Sequence, residues 1–217
     1  MGSLVLIRHA QASFGADDYD KLSQLGHQQA RWLAEYFESH GLVFDRVLRG
    51  ALRRHRETAQ ALAALGVCAE PEEDARWDEM HYSPLAEEYR AATGVPDTMG
   101  RKEFLHHFPK VFCGWAEGRL GRDAESFESF TGRVNAALDD AAAGEGSVLV
   151  VTSGGVIGVV LSRVLGLGPR ATADLLLNIH NASIHRLLLE DGQLRLDLFN
   201  ASPHFDPTDR AHARTYI

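Results

Sequence analysis

The run LVLIR at 4–8 is apolar at successive positions, and therefore on both faces of a strand. Such a strand is stable only when covered on both sides, which places it at the centre of a sheet. It ends abruptly in Arg8-His9 and gives way to a polar loop, HAQASFGADDYDKLS. QLGHQQARWLAEYFESHG then sets Ala30, Leu33, Ala34 and Phe37 at helical spacing, with Gly41 as a stop signal. FDRVLRG reads as a second strand. ALRRHRETAQALAALG reads as a second helix, with Leu52, Ala59, Leu62 and Ala63 on one side and Gly66 after it. Strand, helix, strand, helix predicts an α/β sheet with parallel strands.

Residues 84–120 break this rhythm with Pro84, Pro96, Pro109, several glycines and His106-His107. They read as a partly helical insertion over one end of the sheet, inside a single domain spanning 1–217. SFESFTGRVNAALDDAAAG returns to helical spacing through Phe127, Phe130, Val134 and Leu138. SVLVVTSGGVIGVVLSRVLGLG reads as strand, glycine turn and helix. ASIHRLLLEDGQLRLDLF gives two β-like runs around Glu190-Asp191-Gly192, a hairpin pattern. Ligands of such sheets sit beyond the carboxyl ends of the strands. If the strands LVLIR and SVLVV are neighbours, Arg8-His9 and Thr152-Ser153-Gly154-Gly155 share one crevice.

The residues at those strand ends suit an anion. Arginine presents a planar fork of donors that fits a phosphate or carboxylate, and a neutral imidazole is a nucleophile near neutral pH. Arg53, Arg54 and Arg56 form a second basic cluster, from which one side chain can turn toward the same crevice. The free N–H groups of the helix after Ser153 add a further anion contact. With 22 Lys and Arg against 30 Asp and Glu, the net charge is -8. That balance argues against nucleic-acid or anionic-membrane partners, so the cationic pocket must be local. No GxxxxGK[ST] loop or GxGxxG fingerprint occurs, which weakens nucleoside triphosphate and NAD readings. Adjacent histidines point apart, so His106-His107 reads as surface and no metal is expected. Cys68 and Cys113 lack a CxxC spacing and read as free thiols of a reducing compartment. The N-terminal apolar run is too short for a signal peptide, and no segment reaches the roughly eighteen apolar residues of a membrane span. A cytoplasmic location follows as the expectation.

Taken in order, LIRHAQAS, KLSQLGHQQA, ALRRHRETAQAL, WDEMHY, ESFESFTGRV, VLVVTSGG and NASIHRL resemble the branch-one histidine phosphatase superfamily, the phosphoglycerate-mutase-like proteins. The resemblance covers most of the chain. It implies a three-layer α/β/α sandwich with a mostly parallel central sheet. It also implies a metal-independent phosphatase without cofactor, acting on a small phosphorylated metabolite or phosphopeptide, and a mutase is less favoured. His9 would carry the phosphoryl group as a phosphohistidine. Arg8 and Arg54 would hold its oxygens, Arg54 being the arginine at the family's spacing from Thr58-Ala59. Glu79 in WDEM would be the general acid, with Asp78 off that register. Ser153 and Gly154 would contact phosphate. Two departures stand out: Ala10 follows His9 where the family has glycine, and Ser153 stands where it has a second histidine. A hydroxyl carries no charge, and losing one such donor costs on the order of 100-fold in rate. A catalytically weak phosphate-binding or regulatory protein is therefore the alternative reading, unless His180, His185 or His204 replaces the absent ring. Ser153 also reads as an N-cap, and Trp77 and Trp115 as packing residues. Oligomeric state is left open, with a homodimer as one option.

Overall fold

β1 (Gly2–Arg8) is the strand with both faces covered. The computed structural model describes residues 2–13, 20–68, 70–95, 100–144 and 146–216. The parts of the expected polar loop and insertion at 14–19 and 96–99 lie outside the described residues. β2 (Arg46–Arg49), β3 (Glu72–Glu73), β4 (Ser147–Thr152), β5 (Ile184–Glu190) and β6 (Gln193–Ala201) complete a sheet of order β3-β2-β4-β1-β5-β6. β1, β2, β3 and β4 pair in parallel, and β5 is antiparallel to both its neighbours. Asp191 and Gly192 turn the β5–β6 hairpin with φ of 50° and 76°. Two successive left-handed residues of this kind match the strand twist, as the sequence pattern anticipates.

Alternation along the strands divides the core. Leu4, Leu6, Leu48, Val148 and Val150 face one layer, and Val5, Ile7, Val47, Leu149 and Val151 the other. Helices α1 (Gln24–Ser39) and α2 (Arg53–Ala64) cover the second face through Leu33, Phe37, Ala59 and Leu62. The first is covered by α3 (Tyr82–Thr93), α4 (Arg101–Ala116), α5 (Phe127–Ala142), α6 (Gly154–Leu165) and α7 (Pro169–Leu176). The result is the three-layer, mostly parallel sandwich. Residues 84–120 fall largely within α3 and α4. The pattern gave no element at α7. Trp77 and Trp115 are both core residues, and the Trp115 indole donates to the Glu125 carbonyl at 2.9 Å.

Buried imidazoles make this fold sensitive to acid. His185 and His204 are pushed down to about 3, burial being the main cause. Their ordinary value is 6.5, so each stabilises the fold fully above that pH and loses its contribution as pH falls toward 3. Carboxylates such as Asp74 and Glu125, held low by hydrogen bonds from Arg76 and Arg133, act only below their ordinary values of 3.8 and 4.5. The interval from pH 6.5 to 5 therefore isolates the histidines. Urea unfolding across that interval should lose about 1.4 kcal/mol per pH unit for each such histidine at the full slope. His204→Phe should flatten the slope, and an unchanged slope would show that its burial carries no linkage.

Candidate active site

The crevice forms because β1 and β4 are parallel neighbours in register, Arg8 opposite Thr152. His9 leaves β1 with its N–H donating to the Thr152 carbonyl at 2.8 Å, while its own carbonyl accepts from Ala182 at 3.2 Å. The ring is 6% exposed. Its Nδ1 lies 2.7 Å from the Ala10 carbonyl, which can only accept. Nδ1 therefore bears the proton, and the lone pair is on Nε2. Arg54 Nε donates to that atom at 3.2 Å. Burial first, then the charges of Arg54 and Arg8, hold His9 well below the ordinary imidazole value. The ring is neutral, with its nucleophilic nitrogen turned toward a guanidinium.

Arg54 is in the first turn of α2. Its Nη1 pairs with Asp20 Oδ1 at 2.6 Å, and Asp20 Oδ2 accepts from the Arg53 N–H at 2.7 Å. Thr58, one turn later, explains the R-x-x-x-T spacing. Its hydroxyl donates to the Arg54 carbonyl at 2.7 Å and accepts from the Ala10 N–H at 3.1 Å, joining α2 to the loop that holds His9. Gly26 brings α1 against the same loop, since a Cβ there would lie 2.1 Å from the Gln11 carbonyl oxygen.

Glu79 reaches the crevice from a segment pinned on two sides. Thr152 Oγ1 donates to the Trp77 carbonyl at 2.6 Å, and Arg133 donates to the carbonyls of Arg76 and Asp78. The Glu79 carboxylate accepts the Met80 N–H at 2.9 Å and the Gly155 N–H at 3.0 Å. A Cβ on Gly155 would come within 2.1 Å of Glu79 Oε1, so a larger residue there would push this carboxylate off the start of α6. Arg8 donates from Nη1 to the Ile179 carbonyl and lies beside Gly154. Arg8, Arg54, Glu79 and Gly154 line one cavity of about 710 Å³, and His9 sits beneath it behind Arg54. The rest of the wall is largely apolar, with Met80, Tyr82, Phe104, Phe108, Leu176 and Leu177.

Ser153 is placed differently from the expectation. Its side chain is fully buried and is not among the cavity-lining residues. It occupies the N-cap position of α6, as expected, but its hydroxyl makes no cap bond: its Oγ is 2.6 Å from His55 Nε2. His55 stands between Arg54 and Arg56 of the basic cluster. It is fully buried, its ring 5.6 Å from that of His9, with Asp78 Oδ1 3.6 Å from its Nδ1. Its placement follows from the helical turn of α2, on which it neighbours Arg54, and no spacing in the sequence marks it. His180, His185 and His204 do not line the cavity. His185 instead pairs with the Ser183 hydroxyl at 2.9 Å, and His204 stacks on Phe205. Arg53 binds Glu57 at 2.6 Å, and Arg56 is exposed. His106 is exposed, whereas His107 is buried beside the Tyr82 hydroxyl at 3.0 Å. No helix among the described residues is long and apolar enough to cross a membrane.

Residues 4–202 match the family described as histidine phosphatase superfamily (branch 1). No curated protein matches the chain. Among solved structures, a phosphoserine phosphatase from Entamoeba histolytica, determined with phosphoserine, superposes with a TM-score of 0.69 at 20% identity, covering 94% of this chain and 99% of that one. A mycobacterial glucosyl-3-phosphoglycerate phosphatase gives 0.66 at 24% identity, over 92% and 99%. A putative alpha-ribazole-5'-P phosphatase from Escherichia coli K-12 gives 0.66 at 20%, over 93% and 98%. At these identities the structures show a common fold, while the match over nearly the whole chain places it: the protein belongs to branch 1 of the histidine phosphatase superfamily.

Proposed function

We propose that the protein is a metal-independent phosphoric monoester hydrolase acting on a small phosphorylated metabolite, with His9 as its nucleophile. The observation that carries this reading is the fixed tautomer of His9. A carbonyl on Nδ1 leaves a neutral lone pair on Nε2, facing Arg54. Nε2 forms a bond to phosphorus as the bond to the leaving oxygen breaks, and Glu79 gives that oxygen a proton. A water then attacks the phosphohistidine, losing its proton to Glu79, and the P–N bond breaks to release phosphate. Arg8, Arg54 and the N–H groups at the start of α6 stabilise the charge on the phosphoryl oxygens. The phosphatases that share this fold support the reaction class.

The apolar wall narrows the substrate. Tyr82, Phe104, Phe108 and Leu176 present hydrocarbon where the leaving alcohol would sit. Such a wall favours an alkyl or aryl phosphomonoester over a charged phosphopeptide. The alternative, a phosphate-binding protein with little turnover, shares the same residues and differs only in rate.

Hydrolysis of an aryl phosphate separates the two. His9→Ala should lower kcat by at least about 1000-fold, and equally slow release by wild type and variant would leave only phosphate binding. Glu79→Gln should cost about 100-fold with an alkyl phosphate, whose leaving oxygen needs a proton, but far less with nitrophenyl phosphate. Equal losses on both substrates would remove Glu79 from the acid role.

A further inference from the structure

One buried imidazole is left out of the chemistry above. His55 touches His9, Ser153 and Asp78, three groups brought from three different elements. The arrangement depends on Gly50. A Cβ there would lie 2.2 Å from His55 Nδ1 and 2.5 Å from Asp78 Oδ1, so only glycine leaves the imidazole facing the carboxylate. Leu52 N–H steadies Asp78 Oδ1 at 3.2 Å.

We propose that His55 is the second imidazole of this site, a positioning residue that acts through Ser153. It takes up a proton when a phosphoryl group binds above His9 and thereby frees the Ser153 hydroxyl to donate outward. The inference rests on the reading of His9 as the phosphoryl acceptor. A neutral imidazole has one N–H, and the Asp78 carboxylate, 3.6 Å from Nδ1 and beyond hydrogen-bond length, favours that proton on Nδ1 through its negative charge. Nε2 then accepts, and the Ser153 hydroxyl spends its proton on the ring at 2.6 Å. A second proton, drawn from solvent, makes Nε2 a donor. Ser153 Oγ then accepts from the ring, and its own proton becomes available to an oxygen of a phosphoryl group carried on His9, beneath the cavity at the adjoining strand end.

The charges around His55 fit such a switch. Burial first, and then Arg54 from α2 and the neighbouring His9, disfavour its cation, while Asp78 and Glu79 favour it. A bound phosphoryl group adds negative charge within this cluster and tips the balance toward protonation. The histidine expected at 153 and the imidazole found at 55 therefore compete for one volume. Both positions are fully buried and in direct contact.

Two experiments test this. In protein labelled with 15N-histidine, the ring nitrogens are followed at pH 7.5 with and without inorganic phosphate. Phosphate should shift His9 and convert His55 from the Nδ1–H tautomer to the doubly protonated ring. A shift at His9 with His55 unchanged overturns this inference alone, and no shift at His9 overturns the phosphatase reading with it. The second experiment exchanges the two positions. His55→Ala should lower kcat for an aryl phosphate about 100-fold, with a smaller effect on KM. Ser153→His alone should also fall below wild type, because His55 occupies the space. His55→Ala/Ser153→His should recover about tenfold or more over His55→Ala, the signature of coupled neighbours. No recovery, or a Ser153→His variant faster than wild type, would contradict the proposal.

Discussion

The parallel pairing of β1 with β4 is the constraint on which the site depends. Arg8 opposite Thr152 fixes where the chain leaves both strands, and the His9 N–H bonded to the Thr152 carbonyl carries that register one residue further. From there the polypeptides diverge, one into the loop held by Thr58 and Gln29, the other into α6. A slip of one residue would reverse every side chain on the moved strand, sending apolar residues into the wrong layer. The apolar alternation along Leu4, Val5, Leu6 and Ile7 therefore sets the position of His9 as firmly as any contact His9 makes itself.

Within that frame, electrostatics decides what the residues can do. The chain carries a net charge of -8, yet the cavity floor gathers Arg8 and Arg54 beside an imidazole. Burial, and then the charges of the two guanidinium groups, disfavour another positive charge on the ring and hold His9 well below the ordinary imidazole value. Asp20 balances Arg54 from the rim and closes the start of α2 through Arg53. The same cluster extends behind the floor through His55, Ser153 and Asp78, so the polar residues form two layers. The outer layer meets the cavity and the inner one holds it in place.

Much of this was legible in the sequence, for reasons that can be named. Strands buried on both faces and helices ended by Gly41 or Gly66 have strong periodic signals. Asp191-Gly192 specifies a hairpin through backbone conformation alone. Arg8, His9, Arg54 and Gly154 come together because each lies at a strand end or opens a helix, the positions that sheet topology brings to one crevice, and Glu79 joins them from a segment pinned by Thr152 and Arg133. Other features left no local trace. β3 has two residues and no apolar pattern, and α7 has only eight, led by Pro169. Ser153 looked like a wall residue because its neighbours are, but its hydroxyl turns inward to a partner 98 positions away. His55 was hidden among arginines, since a helix turns adjacent side chains in different directions and only the tertiary fold shows which one goes inside.

All of the proposed chemistry turns on Nε2 of His9 accepting the phosphoryl group. Rapid quenching of the protein during turnover of an aryl phosphate, followed by peptide mass spectrometry under alkaline conditions that preserve phosphohistidine, tests it directly. The structure predicts a phosphorylated peptide containing His9, with the phosphoryl group on Nε2, that is absent from His9→Ala. A turning-over enzyme with no such peptide, or one whose label persists in His9→Ala, would contradict the account.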